Sequence, residues 1–316
     1  MSATVAEALS IITPSPAFTD DLDTSKWFDA GHADKNQSPI DEFRDNLYEI
    51  NRLYLTASQE GKYTRVMGSL SYLGLVSAFE SYIRALLRRL ILVDEVCRNN
   101  AEKRVLTYAA AKHHHPDLLP EALLEGISFA STRSVALELR TLCSITQMGK
   151  DGQVPPNLKA MFSAFEAICQ VRHCGIHRFG KLGSNQALTL GMESHKPVLE
   201  KPLSLSVENL QSIAQALEAL ACGLNSYCFF DILKRTHQFG PAGNSDMPAY
   251  KVAWQLDFEA DRERFFGYYS MFASTKKPNV SPEVEVVYAA FIDFISKANP
   301  NSKAGIKQAV VAETGD

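Results

Sequence analysis

The chain lacks any excess of positive charge. Its 32 Lys and Arg residues are outnumbered by 36 Asp and Glu, a formal net charge of −4. It is therefore not a globally basic nucleic-acid binder, and any phosphate contact has to come from a local cluster. It also lacks C-x-x-C pairs and the framework of a small secreted fold. The six cysteines (Cys97, Cys143, Cys169, Cys174, Cys222 and Cys228) sit mostly inside apolar helical patterns, as reduced cytosolic thiols do. Long apolar runs are missing too. The richest stretch, Leu86 to Val96, is interrupted by Arg88, Arg89 and Asp94, short of the roughly 20 residues that span a bilayer. The opening MSATVAEALSIITPSP has neither the basic start nor the apolar run of a signal peptide. Internal repeats and low-complexity segments are absent. Together these absences lead us to expect a soluble, cytoplasmic protein.

The composition is that of an ordinary globular chain. With 316 residues, 46% hydrophobic and 22% charged, it can bury a large core, as one domain or as a main domain with an appendage. Residues 1–40 carry Pro14, Pro16 and Pro39 and form an expected arm that Trp27 and Phe28 pin to the body. From 41 to 58 the apolar positions Phe43, Leu47, Ile50, Leu53 and Tyr54 recur at helical spacing. A longer stripe, Val66, Leu70, Leu73, Val76, Phe79, Ile83, Leu86 and Leu90, predicts a central helix over 63–97.

Shorter helices fill 99–150, with 131–148 the clearest. His113, His114 and His115 invite a metal assignment, but adjacent helical residues point about 100° apart, and Pro116 ends the helix there. A solvated helix end is the simpler reading. A turn at 150–156 starts the next helix at Pro155-Pro156. Residues 186–190 and 202–205 alternate weakly and suggest a small hairpin or an extended crossing. Ser206, with Asn209 three residues on, opens a long helix over 207–233. A Gly- and Pro-rich loop at 240–248 precedes two helices, 258–272 and 282–298. The expected organisation is an arm (1–40), a helical domain (41–235) and a C-terminal helical extension (241–316).

One stretch breaks the pattern. The helix from 156 carries the stripe Leu158, Met161, Phe162, Phe165, Ile168 and Cys169, and then places Arg172, His173, His177 and Arg178 where further leucines would fall. An arginine presents a planar fork that matches a phosphate, and a histidine moves protons near neutral pH. On the preceding long helix, Glu80 and Arg84 lie one turn apart, with Arg88 continuing the row. They form a simple i,i+4 ion pair, or the carboxylate orients an arginine or histidine of the next helix.

The spacing Arg172-x4-His177 resembles the R-x4-6-H signature of the HEPN ribonucleases, small all-α proteins. The resemblance covers roughly residues 41–235 and rests on arrangement more than on identity. An acidic residue in the first long helix, here Glu80, is similar to what several HEPN families carry. The family more often has asparagine where this chain has His173. Where some relatives carry a tyrosine modified by an antitoxin, this chain has Phe179.

The resemblance implies an all-α HEPN-like bundle, a homodimer with one motif from each copy, and metal-independent cleavage of RNA. The 2′-hydroxyl is RNA's own nucleophile, so the enzyme has to move protons and stabilise the phosphorane. His177 is the implied acid or base and Arg172 the phosphate ligand. His173 shares one of these tasks, and Glu80 and Arg84 support them. Arg88, Arg178 and Lys181 are the expected RNA contacts, with no cofactor and no metal. The products would be a 2′,3′-cyclic phosphate and a 5′-hydroxyl. The implied setting is a prokaryotic toxin or abortive-infection effector, restrained by an antitoxin or sensor protein.

In a regular helix, Arg172 and His177 point about 140° apart whereas His173 and His177 stack, so a single motif looks like half a site. Gly175, without a Cβ, is expected to let a second backbone approach. Three other readings stay open. His173, Cys174 and His177 could ligate zinc. The arginine and histidines could cap carbonyls at the helix end. A catalytically silent scaffold could bind RNA or a partner through Arg84, Arg88, Arg89, Arg172, Arg178 and Lys181, although no aromatic-interleaved basic strand accompanies them.

Overall fold

A computed structural model describes residues 13, 21–33, 35–149, 152–237 and 254–298. The chain divides into two compact units, residues 1–36 and 37–316. In the first, a 3-10 turn spans Thr24–Trp27, and the Asp23 carboxylate caps it by accepting from Ser25 N at 3.2 Å. Trp27 and Phe28, expected to pin this arm, are 67% and 78% exposed.

Among its described residues the second unit is helical apart from turns, extended connections and one isolated bridge, and the all-α expectation holds. Helix α1 (Pro39–Gln59) starts at Ser38, whose hydroxyl accepts from Asp41 N, with Pro39 at the first turn. Helix α2 (Arg65–Val93) is capped by Thr64. It stops one turn before the sequence pattern suggests, because the Asp94 carboxylate accepts from Cys97 N at 2.8 Å and starts α3 (Glu95–Ala101). Short helices α4 (Tyr108–His113), α5 (Leu119–Leu124) and α6 (Thr132–Thr141) follow. Then come α7 (Lys159–His177), α8 (Ser184–Leu190), α9 (Met192–His195), α10 (Val207–His237), α11 (Phe258–Phe272) and α12 (Val284–Ala298).

Helix α2 is the centre of the bundle, and α1, α7 and α10 all pack against it. Phe79, fully buried, meets the rings of Phe165 at 4.7 Å, Tyr82 at 6.1 Å and Phe43 at 6.3 Å, joining α1, α2 and α7 in one aromatic cluster. A helix covered on several sides needs apolar residues around most of its circumference, and Leu75, Val76, Ile83, Leu86, Leu87 and Leu90 are all fully buried. The stripe expected from Val66 onward begins differently. Val66 and Leu70 are 46% and 63% exposed, so the first turns of α2 carry an uncovered apolar face.

Helices α11 and α12 share this core instead of forming a body of their own. Phe265, Met271, Phe272, Tyr288 and Phe291 belong to the same buried cluster as α2 and α10, within the single unit 37–316. Asn225 of α10 donates to the carbonyl of Phe272 at 2.7 Å. Tyr268 of α11 donates to buried Asp94, which also pairs with Arg235 of α10 at 2.8 Å. The loop expected at 240–248 lies outside the described residues.

Two further expectations are corrected. Residues 184–190 are helical, so no hairpin forms. The extended crossing survives as an isolated antiparallel bridge between Lys181 and Pro202. Among the described residues it is α10 rather than 86–96 that is long and apolar enough to cross a membrane, with a mean hydropathy of 1.3 over Val207–Thr236. Here its Leu210, Leu217, Leu220, Leu224 and Cys228 are buried in the protein core. Ser206 caps α10 as expected, in a reciprocal box: Asn209 N donates to Ser206 Oγ at 3.2 Å and Ser206 N to Asn209 Oδ1 at 3.0 Å.

Candidate active site

Three contacts fix where α7 delivers its last turns. Phe165 packs on Phe79, Tyr72 of α2 donates its hydroxyl to the carbonyl of Ile168, and Leu73 lies against Gly175. The C-terminal end of α7 is thereby brought beside the N-terminal half of α2. A Cβ on Gly175 would stand 3.2 Å from Leu73 Cδ2. The glycine serves this crossing inside one chain.

The helix ends in a left-handed turn at Phe179 and Gly180. Arg178 N and Gly180 N both donate to the carbonyl of Cys174, at 3.1 and 3.0 Å, with Phe179 at φ 50 and Gly180 at φ 85. This closure uses backbone groups. Among the described residues no side chain of Arg172, His173 or His177 caps a carbonyl, which removes the reading of these residues as helix caps.

The motif residues separate by direction, as the helical geometry requires. Arg172 turns inward and is half-buried, its Nη2 3.3 Å from Glu80 Oε1. His173 and His177 are exposed, with ring centroids 4.6 Å apart and planes at 48°. Cys174 is buried on the opposite side, so it does not join the two imidazoles. Among the described residues no three His, Cys, Asp or Glu side chains are grouped so as to hold a metal ion. Of the run His113 to His115, His115 serves local structure: its Nδ1 accepts from Asp117 N at 3.4 Å and caps the next turn.

Glu80 belongs to the motif, and it is the residue of the neighbouring helix that reaches it. Burial pushes its carboxyl above the ordinary 4.5, against the pull of Arg172 first and Arg84 second. Its Oε1 accepts no aligned hydrogen bond, so Arg172 meets it as a charge across 3.3 Å. A carboxyl raised in the fold favours its neutral form there. That stabilisation is complete below pH 4.5 and is lost as pH rises through the higher folded value. We therefore expect the stability of the wild type relative to Glu80→Gln to fall as pH rises above 4.5 in urea denaturation. A difference that stays flat over that rise would contradict this environment for Glu80.

The other expected residues do not converge on the site. Arg84 donates to the carbonyls of Leu124 and of Ile127, the latter at 2.8 Å, and lies over the Phe129 ring. It clamps the turn after α5 and does not pair with Glu80. Arg88 pairs with Glu121 at 2.7 Å. Arg178, next to His177 in sequence, donates from Nη2 to both carboxylate oxygens of Glu200, at 2.8 and 2.7 Å. Lys181 is exposed. Glu200 was not singled out from sequence. It lies 22 residues from Arg178 and is carried there by the extended crossing, in which Leu182 N donates to Lys201 O and Glu200 N to Leu182 O. No local pattern announces such a partner.

What the fold and the site define is an all-α protein that displays an imidazole pair beside a carboxylate-held arginine. No protein-family model matches the chain, and no curated protein and no solved structure is similar to it.

Proposed function

We propose that this protein is a metal-independent endoribonuclease of the HEPN type, working as a homodimer whose two copies bring their motifs together around one phosphodiester. The observation that carries the reading is the exposed His173–His177 pair, 4.6 Å apart, at the helix end where Glu80 anchors Arg172. His177 takes the proton of the 2′-hydroxyl or gives one to the departing 5′-oxygen. The second copy supplies the complementary group, and Arg172 and His173 hold the phosphate as its charge grows. Apolar side chains uncovered beside the imidazoles support a second copy seated there. Ile176 and Phe179, flanking His177 in sequence, are 48% and 82% exposed. The setting we propose is cytoplasmic, as a prokaryotic toxin or defence effector under the control of a neutralising partner.

The test is incubation of the purified protein with total RNA in EDTA. Cleavage that leaves 2′,3′-cyclic phosphate and 5′-hydroxyl ends supports the reading. Cleavage that EDTA abolishes, or none under any condition, overturns it. The alternative is a silent scaffold of the same fold, but Arg84, Arg88 and Arg178, through which it would bind, are all engaged within the chain.

The Arg178–Glu200 pair gives a second, independent expectation. Both side chains reach solvent, and the pair contributes little to stability. Glu200→Gln should leave the melting temperature unchanged and free Arg178 for RNA. Binding then tightens, and the slope of log affinity against log salt steepens by about 0.7, one phosphate contact on a single strand. An unchanged slope would remove Arg178 from the RNA surface.

A further inference from the structure

A cavity of about 440 Å³ opens between α1, α10 and the turn 276–279, lined by none of the residues of the histidine site. Its walls are fixed from behind. Asp41, 1% exposed, accepts from Ser274 Oγ at 2.6 Å, Thr275 N at 2.8 Å and Thr275 Oγ1 at 2.7 Å. Arg44 donates to Ser274 Oγ at 2.6 Å and to the carbonyl of Asn279 at 3.4 Å, and pairs with Glu218 of α10 at 3.3 Å. The turn is thus bolted to α1 before any ligand arrives, and preorganised walls of this kind lower the cost of binding.

The lining has three chemical parts. Leu47 and Ala214, both buried, make an apolar floor, and Tyr48 offers a ring that is 64% exposed. The carboxamides of Gln211 and Gln215 contribute paired donors and acceptors, and Asn51, whose Oδ1 accepts from the Tyr54 hydroxyl at 2.8 Å, adds its amide donors. At the mouth, Lys276 is neutralised by Asp45 at 3.0 Å, as Arg44 is by Glu218. Lys277, exposed, pairs with no carboxylate among the described residues.

We infer that this cavity binds a nucleoside monophosphate. The base stacks on Tyr48 and meets the carboxamides along its hydrogen-bonding edge, and the phosphate faces Lys277. A volume of about 440 Å³ is far more than a lone anion needs and lies within the usual range of small-molecule sites, about 300–1,000 Å³. Five charged side chains line the cavity, Arg44, Lys276 and Lys277 against Asp45 and Glu218, and 3 − 2 leaves a surplus of one positive charge. That surplus offsets part of the roughly two negative charges of a phosphate monoester near pH 7, whereas a triphosphate would leave far more charge uncompensated. Stacking on an aromatic ring tolerates any base, because every base presents a π face.

The inference is independent of the nuclease reading, and its test keeps the two apart. The full-length chain carrying His177→Ala is titrated with AMP, GMP, CMP and UMP by calorimetry, and then with the matching nucleosides and with inorganic phosphate. At least one nucleotide should bind at one site per chain, with its nucleoside and phosphate alone at least about tenfold weaker. Lys277→Ala and Tyr48→Ala should each weaken that nucleotide about tenfold. Both residues are exposed, so the variants should melt as their parent does. The inference is overturned if no nucleotide binds, if the nucleoside binds as tightly as the nucleotide, or if either variant binds like the parent.

Discussion

If the protein is the ribonuclease we propose, His177→Ala should lower RNA cleavage by about 10²- to 10⁴-fold, the usual contribution of a positioned general acid or base, and leave the melting temperature where it was. The imidazole is exposed, so its removal leaves no cavity and no unpaired buried group. The effect therefore reads chemistry and not folding. The neighbouring His173 ring stands 4.6 Å away and points along the same face, which sets a floor under the residual rate. Arg172→Lys is expected to act differently. The ammonium keeps the charge that Glu80 faces across 3.3 Å, but it cannot present two parallel donors to one phosphate. Activity should fall by about tenfold or more with little change in stability. Full activity in Arg172→Lys would remove the bidentate phosphate role, and full activity in His177→Ala would show that cleavage in the preparation comes from elsewhere.

Phe79→Ala is expected to destabilise the protein by about 3–5 kcal/mol, at the upper end for a single core truncation. The ring is fully buried and in contact with Phe43, Tyr82 and Phe165, so three helices lose a shared partner at once and none can fill the void alone. Urea denaturation measures the change. Phe165 lies on the helix that carries the motif, so the same variant should also loosen the active end of α7 and lower cleavage below what its folded fraction explains. A loss under about 1 kcal/mol would mean that the bundle is not organised around this cluster.

The sequence made the long helices readable because burial there follows one period. The stripes on α1, α7, α10, α11 and α12 gave boundaries within a few residues. Caps such as Ser38 and the Ser206–Asn209 box are local signals that need no tertiary knowledge. The stripe on α2 misled at both ends. Val66 and Leu70 keep the helical spacing yet face outward, and Asp94 breaks the helix because it is wanted as a cap for α3 and as a partner for Arg235. Residues 142–148 also read as helix. Leu142, Cys143, Ile145 and Met148 are fully buried, but the chain turns through Ser144 at φ 54, and their burial comes from the neighbours and not from helical phase.

The site shows the same divide. The angular offset along α7 is dictated by 3.6 residues per turn, so the inward Arg172 and outward His173 and His177 could be foreseen. Glu80 could be nominated from its helix. Arg84, at the same spacing and with the same charge as a catalytic arginine, instead satisfies carbonyls of the turn after α5, some 40 residues away. The pairing of Arg178 with Glu200 and the walls of the cavity at Arg44 are likewise products of the folded chain path, which no local pattern encodes.

The most direct measurement is the separation of the two copies of His177 in the assembled protein, read from spin labels or from a structure of the dimer. We expect a dimer in which the imidazoles stand within about 10 Å, since each has to come within about 3 Å of opposite oxygens of one phosphate. A monomer that still cuts RNA, or a dimer that holds the two histidines on distant faces, would contradict the composite site.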